Sequence, residues 1–309
     1  MEVRLVNVEV AVTDAQGRFL AELTARNFHL SEDGVPQRVA HFAPTRAPVR
    51  VVLLVEASPA VFLLQREHLT TAYHLLRALR PEDEVALLSY ARELHPELPF
   101  TRDKASVEAR LDLLGRFGLG MAEMNLLDAV AAALDWLSPQ AAGPPRGTAV
   151  VLVGTGLDSG SSTPWDHLAS RVGASQVTFF PLAVGGLLRQ EPRGRRKRGR
   201  RELSLESVEA DFAHADNRLR ALAEASAGQA YFPQSVAELD PIYAEIAERL
   251  RNLYSLGYYP SKIARDGAYR KITVELVDEA GAPLVLRDRQ GLPLAYRVFA
   301  RPGYFAPRE

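Results

Sequence analysis

The chain has 309 residues, enough for about two domains with sizeable cores. Its 47% hydrophobic and 24% charged residues are those of an ordinary globular protein, and the absence of cysteine excludes disulfides, zinc–thiolate sites and thiol catalysis. The formal net charge of −1 conceals an asymmetry, because seven positive charges fall between Arg193 and Arg201 and leave −8 for the remainder.

Val6, Val8, Val10 and Val12 alternate along residues 3–13 and predict a half-buried strand. Asp14-Ala15-Gln16-Gly17 and Glu32-Asp33-Gly34 are turn signals, and Pro44 and Pro48 close this first β unit. The apolar run Val51–Val55 then leads into Glu56-Ala57-Ser58-Pro59-Ala60. It reads as a buried parallel strand entering the loop before a helix, which is where open α/β sheets place their ligands. Leu69, Ala72, Tyr73, Leu76 and Leu79 mark the helix that follows, and Val85–Tyr90 the next strand. Helices are expected near 103–114 and 126–137, and a fully apolar strand at Thr148–Val153.

Thr163-Pro164-Trp165-Asp166 reads as a helix start with Thr163 as N-cap. A strand over Val177–Val184 precedes a helix at 216–226, which Gly228 ends in a C′ position, and a short strand at 229–232. A last helix carries Leu239, Ile242, Tyr243, Ile246, Leu250 and Leu253. Strands alternating with helices predict an α/β fold with a doubly wound, mostly parallel, Rossmann-type sheet over 47–253. After Tyr254 the period returns to two, with Ile272, Val274 and Leu276 on one face and Tyr296, Val298 and Ala300 on another. Neither terminal piece is large enough for its own core, so 1–46 and 254–309 are expected to form one discontinuous β-rich domain around the α/β insertion.

Several segments together carry a family resemblance. They are Val3–Val8 with Thr13-Asp14, Asn27-Phe28, Glu32-Asp33-Gly34, Leu79-Arg80-Pro81-Glu82-Asp83, Tyr254–Pro260, Asp266-Gly267, Arg270-Lys271-Ile272 and Arg301–Pro307. In order and spacing they resemble bacterial von Willebrand factor type A-related proteins. The resemblance implies a type A sheet domain whose three upper loops build a metal-ion-dependent adhesion site, beginning Asp-x-Ser-x-Ser. Here those positions read Glu56-x-Ser58-x-Ala60. The Thr expected four residues before Asp128 is Met124, and the Asp-Gly expected after the third strand is Thr155-Gly156, with Asp158 downstream. Mg²⁺ demands octahedral oxygen coordination, so the altered set implies a degenerate site that works without a cofactor. The alternative is residual divalent-cation adhesion, with Mg²⁺ held through Glu56 and Ser58.

The loops 56–62, 117–125 and 154–163 are thus the expected partner-binding surface, with Glu56, Ser58, Asn125, Thr155 and Asp158 as its candidate residues. Asn125 is read as the N-cap of the helix after it rather than as a substitute ligand. Ser58 suits either a cap or a contact, and Asp158 begins a polar loop. The basic loop at 189–203, with Arg193, Arg195, Arg196, Lys197, Arg198, Arg200 and Arg201, offers a second reading, a polyanion or an acidic partner. It carries no interleaved aromatics, so nucleic acid is not expected. The seven histidines form no metal-binding pair and no nucleophile elbow occurs, so no enzyme is expected. No apolar run reaches the ~18 residues of a membrane span. Met1–Asn7 lacks the basic and apolar regions of a leader, although the resemblance implies export.

Overall fold

The structure is a computed structural model that describes residues 5–16, 18–45, 48–58, 65–117, 123–138, 148–175, 177–185, 202–287 and 290–306. Its centre is a five-stranded sheet. Strand β5 (Arg50–Glu56) lies in the middle, between β6 (Glu84–Tyr90) and β8 (Thr148–Gly154), with β7 (Leu94–Thr101) and β9 (Val177–Ala183) at the edges. All neighbours run parallel except β7, which is antiparallel to β6. The apolar runs explain this placement: from Val51 to Val55 no residue exceeds 2% exposure, so both faces of β5 need cover.

Helices supply that cover from both sides. On one face, Val51, Leu53 and Val55 pack with Leu87 and Val151 beneath α1 (Gln65–Ala78), α2 (Lys104–Phe117) and α6 (Leu239–Arg251). On the other, Val52, Leu54, Leu88 and Val150 pack beneath α3 (Leu126–Leu137), α4 (Trp165–Ala174) and α5 (Glu202–Ala225). Each fully buried Leu or Val of these layers contributes about 1.5–3 kcal/mol of transfer free energy.

Two antiparallel sheets draw on both ends of the chain. One has the order β12 (Tyr296–Ala300), β1 (Val6–Asp14), β10 (Leu253–Tyr258), β4 (Val39–Thr45). The other has the order β13 (Gly303–Phe305), β11 (Tyr269–Leu276), β2 (Phe28–Glu32), β3 (Val35–Gln37). Between them, Val8, Val10, Val12 and Tyr254 meet Phe28, Leu30, Ile272 and Leu276 in a separate core. Glu32 is buried there rather than solvated in a turn; its Oε2 accepts the hydroxyls of Tyr258, at 2.5 Å, and Tyr304, at 2.9 Å. Strand β4 leads into the α/β insertion and β10 returns from it, and the two are paired at Thr45 and Leu253.

Three local expectations need correction, and one strand had no expectation at all. Strand β7 escapes the pattern because Pro96 and Pro99 interrupt its alternation, which a sheet edge tolerates and a central strand does not. Helix α5 begins at Glu202 rather than near 216. The expected strand at 229–232 is a single bridge between Leu182 and Tyr231. At the end of α5 the left-handed residue is Ala227, with φ 60°, not Gly228. Gly228 answers a different demand: a Cβ there would lie 1.8 Å from the Phe179 carbonyl oxygen of β9. Gly228→Ala should therefore cost about 1–3 kcal/mol by overpacking, read as a lower urea midpoint. An unchanged midpoint would show that the helix end can move away from β9.

Candidate functional site

The loops leaving the carboxyl ends of β5 and β8 meet around one side chain. Glu56, the last residue of β5, is 1% exposed. Its Oε2 accepts the Thr155 amide at 2.6 Å and the Thr155 hydroxyl at 2.8 Å, with the Tyr90 hydroxyl at 3.5 Å. Its Oε1 accepts the Ser58 hydroxyl. Ser58 and Thr155 are themselves fully buried. Room for this carboxyl comes from Gly154, where a Cβ would stand 2.6 Å from Glu56 Oε2 and 2.8 Å from the Tyr90 hydroxyl.

Burial pushes the Glu56 carboxyl above its ordinary range, and the bonds from Ser58, Thr155 and Tyr90 oppose that rise. Burial, with the neighbouring Glu56, drives the Tyr90 phenol well above its own. Sequence reasoning brought out Glu56, Ser58 and Thr155 but missed Tyr90 and Gly154. The available signal was a phenol closing one apolar strand and a glycine closing another.

A second ring of bonds joins the remaining candidates. Asp158 Oδ1 accepts the Leu127 amide at 3.3 Å and the Ser161 hydroxyl at 2.5 Å, while Ser161 Oγ accepts the Asp128 amide at 3.1 Å. The first turn of α3 is thus capped from another loop. Asn125 occupies the N-cap position, but its side chain makes no cap bond. Its Nδ2 donates to the Arg92 carbonyl at 3.1 Å instead. Thr163 likewise does not cap α4, where Pro164 holds the N-cap position. Its amide and hydroxyl donate to Asp128 at 2.8 and 2.5 Å, and the Ser162 amide does so at 2.9 Å. Burial pulls the Asp128 carboxyl upward, yet these bonds outweigh it and hold the group below the usual carboxylate range. Ser159 and Met124 exchange further bonds, 2.7 Å from the Ser159 amide to the Met124 carbonyl and 2.8 Å from the Met124 amide to the Ser159 hydroxyl.

The oxygens that a Mg²⁺ ion would call on here are bonded to one another. Both Glu56 oxygens accept hydrogen bonds inside the fold, and the Thr155 hydroxyl is turned onto Glu56 with the Met124 thioether 4.0 Å away. A thioether is a soft donor that a hard cation does not select. Among the described residues no group of three or more His, Asp or Glu side chains is placed to hold a metal. Residues 59–62 and 118–122 of the upper loops lie outside the described residues, as does the whole Arg193–Arg201 run.

The raised Glu56 carboxyl gives a pH signature. The native state keeps a proton that the unfolded chain loses above about 4.5, so this group's contribution to stability falls as pH rises from there. Glu56→Gln, neutral throughout, should lack that slope. Urea midpoints of the two proteins from about pH 4 to about pH 8 should diverge in the variant's favour as pH rises. Parallel curves would show that the carboxyl titrates normally.

No family model matches the chain, and no curated protein matches it. Among solved structures it is similar to BatB, a conserved hypothetical protein from Bacteroides thetaiotaomicron. That likeness has 17% identity over 65% of this chain and 98% of that one, with a TM-score of 0.45. An aerotolerance-related membrane protein from Bacteroides fragilis NCTC 9343 is 15% identical over 65% and 98%, with a TM-score of 0.46. A von Willebrand factor type A structure from Catenulispora acidiphila is 11% identical over 97% and 75%, with a TM-score of 0.48. In its own strand order and its layers of helices on both faces, the α/β domain of this chain has a von Willebrand factor A-like fold.

Proposed function

We propose that the chain is a non-catalytic protein–protein interaction module, an adhesion or scaffold unit that engages its partner without a bridging cation. The observation that carries this reading is the inward turn of Glu56. A metal-bridged contact needs a carboxylate and hydroxyls offered outward, and here they bond one another while 1% or less exposed. The hydrogen bonds supply locally the compensation that a cation would otherwise supply. The perturbed groups, Glu56 and Tyr90, are sealed from solvent, which supports binding rather than catalysis.

The surface left for a partner is the exposed rim of the same loops, including Glu123, Ser159 and Gly160, with Arg92 and Glu93 of the turn between β6 and β7. Loops whose polar groups bond one another suit such a role, because a pre-organised surface loses little ordering entropy on association. Among the described residues no helix is long and apolar enough to cross a membrane.

Isothermal calorimetry with Mg²⁺ and with Mn²⁺, beside thermal melts in each metal and in EDTA, tests the metal-independent part. No heat and superimposable melts are expected. Micromolar binding that disappears in Glu56→Ala would overturn it. The interaction itself is tested by cross-linking in EDTA in an extract of the source cells. The partner captured by the native chain should be lost from a Glu123→Arg, Ser159→Arg double variant that melts normally. Retention by that variant would move the contact elsewhere.

A further inference from the structure

Two polar groups of the upper rim stand outside the network that joins the other loop residues. The first is Oδ1 of Asn125. The residue is 8% exposed, and this oxygen is buried without a hydrogen-bond partner among the described residues. The other end of the amide settles its orientation: Nδ2 donates to the Arg92 carbonyl at 3.1 Å. Exchanging the two ends would set oxygen against carbonyl oxygen, so Oδ1 is the end left over. The Asn125 main-chain amide donates to the Ala91 carbonyl at 2.9 Å, which pins the residue a second time.

The second group is the carboxylate of Glu123. This residue is exposed, and among the described residues no hydrogen bond or ion pair ties its side chain. Met124, between the two, exchanges main-chain bonds with Ser159, which holds the pair against the loop after β8.

Both groups meet at Gly160. A Cβ on that exposed glycine would stand 3.2 Å from Asn125 Oδ1 and 3.5 Å from Glu123 Oε2. Two acceptors, one of them charged, therefore converge on the same side of one glycine with no donor between them. A buried acceptor left without a donor costs about 1–3 kcal/mol, so the arrangement favours whatever brings one. The amino-terminal end of α3 does not supply it. Its Leu127 and Asp128 amides are taken by Asp158 and Ser161, and Asp128 adds a carboxylate to the first turn. These acids already answer the positive end of the helix, which leaves Glu123 as surplus negative charge.

The missing donor has a definite chemistry. It must bond both oxygens, carry positive charge to match Glu123, and be compact, because the oxygens belong to different side chains. A guanidinium offers a flat fork suited to the two oxygens of a single carboxylate, whereas an ammonium directs three donors from one atom. One carboxylate and one amide oxygen fall far short of the oxygen shell that Mg²⁺ or Ca²⁺ gathers.

We propose that a lysine ammonium of the partner protein enters between Glu123 and Asn125 beside Gly160, so that the partner itself carries the cation. This rests on the reading that the upper loops engage a protein, and it names the chemistry of that contact. Glu123, exposed and untied, swings to admit the ammonium, while Asn125 stays where Arg92 and Ala91 hold it. Gly160 keeps the approach free of a side chain. Its φ lies outside the left-handed region, so Gly160→Ala blocks that approach without backbone strain.

Titration of the ¹⁵N-labelled whole chain with a trilysine peptide, at constant ionic strength and in EDTA, reads the site through the Asn125 side-chain amide and the Gly160 backbone amide. Both should shift together and saturate with a millimolar dissociation constant, and a peptide with every lysine ε-acetylated should shift neither. Glu123→Gln should weaken binding about tenfold, and Gly160→Ala at least as much, although it removes neither oxygen. No saturable shift at Asn125, or native affinity in both variants, would overturn the inference. So would the same shifts produced by Mg²⁺ or Ca²⁺ alone in the absence of chelator, or by a triarginine peptide with equal affinity. A partner still captured by cross-linking while the peptide stays silent would leave the interaction reading standing and remove only the lysine.

Discussion

A carboxylate at the carboxyl end of a buried central strand has to be neutralised or surrounded by donors, because leaving it bare costs far more than a whole domain's net stability. Glu56 meets that constraint inside the fold, and the arrangement of the upper loops follows from it. Thr155 must turn its amide and hydroxyl toward β5, Ser58 must fold back, and Gly154 must lack a side chain. Once those are set, the loop after β8 is positioned for Asp158 and Ser161 to cap α3, and for Asp128 to gather Ser162 and Thr163. The network therefore propagates outward from one acid, and the polar groups it joins among the described loop residues are committed to one another.

The sheet beneath makes this possible by fixing register. Val55 of β5 pairs with Ser89 and Val153, so Glu56, Tyr90 and Gly154 arrive side by side at the same height. Below, the helical layers close both faces of the sheet, and the β body carries its own core around Tyr254 and the Glu32–Tyr258–Tyr304 cluster. Each unit thus has the apolar burial to hold its own internal geometry.

The parts of this that sequence makes legible are those written in local pattern. Runs such as Val51–Val55 and Thr148–Val153 disclose buried strands because both faces are apolar; the loop after the first discloses Glu56 and Ser58, and the family resemblance adds Thr155 after the second. What escapes is whatever depends on residues distant in the chain. Asn125 has the chemistry of a cap, but a loop more than thirty residues away supplies the cap, so its own amide is spent on Arg92. Thr163 loses its expected role in the same way, to Asp128. Gly228 looks like a helix terminator and is instead a point of close approach to β9. In β7 the prolines mask a strand that only the edge of a sheet permits. Tyr90 reads as one more apolar residue until the register places its hydroxyl beside Glu56.

The ladder between β1 and β10 has a mechanical consequence. Val6 is opposite Tyr258, at the end remote from Leu253, where the α/β domain attaches. Tension between residue 6 and the upper loops would pull each strand from its own amino-terminal end, and in an antiparallel pair those ends lie at opposite extremities. The load then runs along the strands in shear, and the five registered pairs from Val6–Tyr258 to Val10–Tyr254 share it and must yield together. A pull on both strands from the same extremity would instead peel them apart one pair at a time. This polarity makes the body a stiff tether in one direction and a weak one in the other.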